Sequence, residues 1–107
     1  RLPLLALFLI LLAPTASLAH ALSLWAEVLD DTTVRVEVHT TDGRPVAGAA
    51  IRVTAADGTL RASGETDTEG RFEMRREQAE SLTIHASSGG HHQAEAVLDA
   101  DGSLRDD

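Results

Sequence analysis

The sequence predicts an all-β fold, a seven-stranded antiparallel β-sandwich, and three observations support this prediction. Apolar and polar residues alternate with period two through most of the region 22–98, as they do in half-buried strands. Asp-Gly, Gly-Gly and Pro-containing turn segments separate these runs at the spacing of a small sandwich. The 107-residue chain has no cysteine, so aliphatic side chains must hold the fold together without disulfides.

The strands are assigned in chain order from this alternation, and the turns between them carry suitable residues. Asp57-Gly58 is typical of a two-residue hairpin, in which both central residues need positive φ. Ser87-Ser88-Gly89-Gly90 is expected to close the last hairpin. The seven predicted strands cover residues 22–28, 34–38, 49–55, 60–62, 72–74, 82–86 and 91–98.

The N-terminal residues are predicted to be a secretory signal peptide and not part of the sandwich. Arg1 precedes an uncharged run over residues 2–12, and a run of about 11 residues is too short for a membrane span, which needs about 20. Pro14 and several small residues follow, as at a signal cleavage region. We therefore expect an exported protein in the periplasm or on the outer face of the cytoplasmic membrane, without a further membrane span.

Two cleavage positions fit the small residues at the end of this segment. Cleavage after Ala19 would leave His20 as the first residue, and cleavage after Ala21 would remove that histidine. We expect the first. The predicted organisation is then a signal peptide at 1–19, a sandwich domain at 20–98 and an acidic flexible tail at 99–107.

Charge and motif content exclude several classes of function. The net charge of -8 argues against nucleic-acid binding and against anionic membrane surfaces, both of which need a basic surface. The sequence contains no Cys nucleophile, no Gly-x-Ser-x-Gly elbow and no phosphate-binding glycine loop. We therefore predict a binding role and not an enzyme.

The central segments carry a family resemblance. Gly70 suits a backbone position closed to other residues, Asp67 can hydrogen-bond the turn backbone, and Phe72 is expected to enter the core as a large apolar anchor. These residues lie in or near two segments, GRPVAGAAIRV at 43–53 and TDTEGRF at 66–72. Both segments resemble the carboxypeptidase regulatory-like (transthyretin-like) modules. This resemblance implies an Ig-like β-sandwich, and it implies a fold more than an activity.

The two ends carry a narrower resemblance. Ala19-His20-Ala21-Leu22 at the cleavage region, and Ser88-Gly89-Gly90-His91 with Ala94-Glu95, look like the small L-type accessory component of bacterial nickel and cobalt uptake transporters. That resemblance implies a role in metal ion transport beside an energy-coupling-factor permease, with the metal ion and the permease as partners. The alternative is a general interaction or spacer module of the cell surface with no metal role.

Histidines of the last hairpin are the first candidate metal ligands. Neutral imidazole binds Ni, Co, Cu and Zn. A register that pairs Ala86 with His92 would make His85 and His91 diagonal neighbours on the outer face, about 7–8 Å apart. A slip of one residue would pair His85 with His92 instead. A solvated strand face with incidental histidines is the alternative.

His20 is the second candidate. If cleavage follows Ala19, its imidazole and the free α-amine would form a nitrogen chelate suited to Cu(II) or Ni(II). The predicted ligand set for a divalent transition metal is therefore His20, His85, His91 and His92.

Overall fold

The computed structural model describes residues 21–89 and 92–106, and this part of the chain folds into two antiparallel sheets. One sheet has the strand order β1-β2-β5, and the other has the order β4-β3-β6-β7-β8. The strands are β1 (Leu22–Val28), β2 (Thr33–Thr40), β3 (Ala50–Ala55), β4 (Leu60–Glu65), β5 (Arg71–Arg75), β6 (Leu82–Ser88), β7 (His92–Leu98) and β8 (Leu104–Asp106). The predicted signal peptide lies outside the described residues.

The all-β fold in two antiparallel sheets is confirmed, but the predicted number of seven strands is wrong by one. The eighth strand lies in the segment predicted to be a flexible tail. Gly102 has a φ of 91° and donates its N–H to the Asp99 carbonyl at 2.9 Å, while the Asp101 carboxylate accepts the Ser103 N–H at 2.9 Å. This turn sends Leu104–Asp106 back along β7. The acidic, polar composition of residues 99–107 suggested a tail, but the Asp and Gly residues of this segment form a turn.

Alternate residues of the strands meet between the two sheets and form one apolar core. Three valines of β2 are fully buried, and so are the apolar residues that β3, β6 and the end of β7 direct inward. Burial of aliphatic surface is the main stabilising contribution in such a cysteine-free domain. The largest fully buried side chains are Val34, Val36, Val38, Ile51, Val53, Leu82, Ile84 and Leu98.

The connection from β4 to β5, residues 66–70, is fixed by contacts that only particular residues can make. Gly70 has a φ of 78°, and a Cβ atom there would lie 2.6 Å from the Val38 carbonyl oxygen. The buried Thr66 hydroxyl donates to the Val46 carbonyl at 2.6 Å and accepts the Ala49 N–H at 2.9 Å. The turn therefore joins the two sheets through the backbone, as expected for Gly70.

Phe72, the first apolar residue after this turn, is only half-buried and packs against the edge of the core. Its ring lies over Gly64 of β4, where a Cβ atom would be 2.6 Å from Phe72 Cε1. The expectation that Phe72 enters the core is therefore met in part, since the ring covers a glycine between the two sheets.

Candidate functional site

The register of the last hairpin decides which histidines can act together. The β6–β7 ladder pairs His85 with Glu95, Ala86 with Ala94 and Ser88 with His92. The predicted pairing of Ala86 with His92 is therefore displaced by two residues, and the alternative pairing of His85 with His92 does not occur. The observed register sets Leu98 opposite Leu82, and both are fully buried. Burial of this leucine pair explains the shift, because it adds apolar contact at the far end of the hairpin.

His85 lies on the outer face of the larger sheet, as predicted, because a shift of two residues keeps every side chain on its face. Its direct neighbours are Arg52 on β3 and Glu95 on β7. Its Nε2 atom lies 3.2 Å from Gln93 Oε1, and the diagonal positions on β7 belong to Gln93 and Val97. The imidazole is therefore engaged with an amide, and a guanidinium-bearing residue next to it opposes cation binding.

The structure describes two of the four predicted ligands, His85 and His92, and places them on opposite faces of the larger sheet. His92 belongs to the set of β7 residues that alternate toward the core, whereas His85 points to the opposite face of the same sheet. These two histidines cannot share one ion. His20 and His91 lie outside the described residues. Residues 21–89 and 92–106 contain no group of three or more His, Asp or Glu side chains arranged to hold a metal ion.

Part of the acidic charge has a structural role. Four turn aspartates each accept a backbone N–H from the second residue along the chain, at 2.9–3.0 Å. Backbone hydrogen bonds stabilise the ionised carboxylate and lower its pKa. The largest cause of the lowered pKa is the N–H of Thr32 for Asp30, Thr59 for Asp57, Arg71 for Asp67 and Ser103 for Asp101. These carboxylates hold turns and do not form a cation site.

An open groove runs along one edge of the sandwich, between β1 and the strands β7 and β8. This edge groove has a volume of about 610 Å³. Trp25 of β1, with 54% of its surface exposed, is the largest apolar side chain beside it. Its other lining residues include Leu22, Leu24, Ala94, Glu95, Leu104 and Arg105.

Two edge strands of the sheets also border this groove. β1 is an edge strand, hydrogen-bonded only to β2 within the described part of the chain. β8 pairs with only three residues of β7, Ala96 to Leu98. Within the described residues, the edge groove is therefore bordered by the edge strand of each sheet as well as by apolar side chains. Sequence alternation placed Trp25 on a polar face, but it could not show that β1 would be an edge strand facing β7.

The two packed antiparallel sheets define the chain as a β-sandwich module. Residues 33–105, which run from β2 into β8, match the carboxypeptidase regulatory-like domain family, and the chain belongs to that family. The resemblance of the central segments is thus confirmed at the level of the module family. None of the curated proteins or solved structures compared with the chain matches it. Among the described residues, no helix is long and apolar enough to cross a membrane.

Proposed function

We propose that this chain is an exported, non-catalytic accessory module of a nickel or cobalt uptake system, and that it docks on the membrane permease through the edge groove. The edge of β1, which pairs only with β2 among the described residues, carries the proposal. Natural sheet edges are usually blocked by proline, lysine, a bulge or a covering segment. β1 pairs with β2 in unbroken register over seven residues, and its sequence, LSLWAEV, has one charged residue, Glu27.

Such an edge favours an extended partner segment that adds a strand to the sheet. Main-chain hydrogen bonds would supply affinity, and pockets for alternate side chains would supply specificity. The edge groove provides that apolar surface beside Trp25, and tryptophan is enriched among the residues that dominate binding energy at interfaces. We take an extracytoplasmic loop of the permease as this partner segment, because export would place the chain on that side of the membrane.

The nickel and cobalt part of the proposal is supported by sequence resemblance. The residues that carry it are 19–22, in the predicted cleavage region, and 88–91 with Ala94-Glu95, in the sequence of the last predicted hairpin. Membership of a regulatory-like module family supports an accessory role and not catalysis.

The docking proposal can be tested with the permease reconstituted in lipid nanodiscs and the chain immobilised for interferometry. We expect Trp25→Ala to weaken binding by tenfold or more, a typical loss for an interface anchor of about 2 kcal/mol. Leu29→Ala is the matched control, because Leu29 is also an exposed apolar residue, 42% exposed, and does not line the edge groove. Equal losses for both variants, or no binding by the wild type, would contradict docking at the edge groove.

Metal binding by the last hairpin is a second candidate, favoured by the outward-facing His85 directly opposite Glu95. An ion held there would have to displace the Gln93 contact and tolerate Arg52 as a neighbour. Calorimetric titration with Ni(II), Co(II), Cu(II) and Zn(II) tests it. Binding through imidazole should weaken at acidic pH, because the ligand must be the neutral form. His85→Ala should remove binding, with His39→Ala as the control, and unchanged affinity in His85→Ala would leave docking as the function.

A further inference from the structure

A second pocket lies at the other edge of the sandwich, where β4 and β5 come together. This arginine pocket has a volume of about 430 Å³. Leu60 and Arg61 of β4, Met74 and Arg75 of β5, and the connection that begins at Arg76 form its wall. Three of the nine arginines of an acidic chain are therefore gathered around one small cavity.

Arg76 is the unusual member of this group, because its side chain is buried without an opposite charge. The residue is only 8% exposed. Its Nη1 atom donates to the carbonyl oxygens of Glu80 and Asp99, both at 3.4 Å. Its Nε atom is buried and has no hydrogen-bond partner. None of the ion pairs in the described part of the chain includes Arg76.

The two acidic residues whose backbone carbonyls Arg76 contacts have carboxylates that pair with other arginines. The Glu80 carboxylate is held by Arg61, through contacts of 3.0 Å and 3.1 Å. The Asp99 carboxylate is held by Arg105 at 3.2 Å. Arg76 therefore donates hydrogen bonds to the backbone carbonyls of Glu80 and Asp99, while the carboxylates of these two residues pair with other arginines. A buried charge without a partner is strongly unfavourable, which favours an external anion as its complement.

We propose that the arginine pocket binds a carboxylate attached to a short apolar group. A planar guanidinium can hold a carboxylate through two parallel hydrogen bonds. Leu60, which is 50% exposed, and Met74 supply an apolar wall for the rest of the ligand. Glu77 and Glu80 also line the cavity, and their charges disfavour a dianion such as phosphate. The carboxylate belongs either to a peptide C-terminus or to a free small acid.

Titration of the full chain, followed by NMR chemical shifts, tests the proposal. The probes are N-acetyl-L-leucine, its neutral amide, inorganic phosphate, and a hexapeptide that ends in a free leucine carboxylate. We expect N-acetyl-L-leucine to bind and its amide to bind at least about tenfold more weakly, because the charge-assisted hydrogen bonds are lost. Tighter binding of the hexapeptide would indicate a peptide terminus as the source, and equal binding would indicate a free acid.

Variants test whether binding depends on the Arg76 guanidinium itself or on positive charge in general. Arg76→Met should weaken the binding of N-acetyl-L-leucine at least about tenfold, whereas Arg44→Gln, which changes an exposed arginine outside the pocket, should change it less than about threefold. Arg76→Lys keeps the charge without the planar fork and should also bind more weakly. Absence of saturable binding by the wild type, tighter binding of phosphate, or equal losses in Arg44→Gln and Arg76→Met would overturn the proposal. The comparison of acid with amide on the wild type does not depend on how well the variants fold.

Discussion

The β4–β5 turn and the outer face of the last hairpin differ in how their polar groups are used. In the turn, Thr66 and Asp67 bond directly to backbone atoms, and Gly70 lies against a backbone carbonyl. On the hairpin, His85 contacts the side chain of Gln93. Backbone partners are fixed by the fold, whereas side-chain partners can exchange for water or a ligand. The turn is therefore a structural element, and the hairpin face is a surface whose role depends on what binds it.

The largest expected effect is that of Gly70→Val, which places a branched side chain at a φ of 78° and 2.6 Å from the Val38 carbonyl oxygen. The strained dihedral angle and the clashing carbonyl both belong to the backbone, which cannot move aside as a flexible side chain can. We therefore expect a loss of more than about 3 kcal/mol in the free energy of unfolding. Urea denaturation measures it. Gly58→Val is the matched control, since Gly58 has a φ of 88° and a Cβ atom added there would meet nothing within 4 Å. Equal losses of unfolding free energy at both sites would show that the clash with the Val38 carbonyl does not add to the cost of the strained dihedral angle.

Phe72→Ala should have the next largest effect. The ring is half-buried over Gly64 and against the core, so we expect a loss of about 2–3 kcal/mol, below the 3–5 kcal/mol typical of a fully buried Phe. Urea denaturation again provides the measurement, with Leu60→Ala as the exposed apolar control. A loss below about 1 kcal/mol would mean that the ring covers Gly64 without stabilising the turn.

The contrast between the two regions also explains what the sequence could predict. Gly70 and Asp67 were identified correctly because their roles depend on local backbone geometry. The hairpin register was missed by two residues because alternation defines faces but not the pairing along a strand, and the burial of Leu98 opposite Leu82 decided it. The pockets were missed because they depend on how the two sheets stack. No local pattern marks Arg76 as a buried cation.

Asp67→Ala tests the turn through pH. The backbone N–H groups of Arg71 and Glu69 lower the pKa of Asp67 in the folded protein. A lowered pKa in the folded state means that the stabilising contribution is complete above the unfolded pKa, about 3.9, and is lost as the pH falls through the lower folded value. We therefore expect the wild type to be more stable than Asp67→Ala at pH 7, and the difference to shrink as the pH falls below about 3.9.

Urea midpoints of both proteins between pH 7 and pH 2 provide this measurement. Asp31→Ala is the control, because it removes the same charge from an exposed turn aspartate that has no hydrogen bond or ion pair to the described residues. A difference for Asp67→Ala that is independent of pH would assign the effect to the side chain's shape and not to its ionised carboxylate.

The smallest expected effect is that of His85→Ala, and it tests whether the hairpin face is independent of folding. His85 alternates with Ile84 and Ala86, which are fully buried, and its own side chain meets Gln93 at 3.2 Å on the exposed surface. We expect a change within about 0.5 kcal/mol, as for surface substitutions away from buried features. Ile84→Ala, one residue away, should lose about 2–5 kcal/mol, so the two variants compare how much the inner and outer faces of β6 contribute to stability.

A loss above about 1 kcal/mol in His85→Ala would show that the outer face also stabilises the sheet. His85→Ala could not then serve as a clean test of metal binding. A neutral result would make any change in ligand affinity attributable to the imidazole itself.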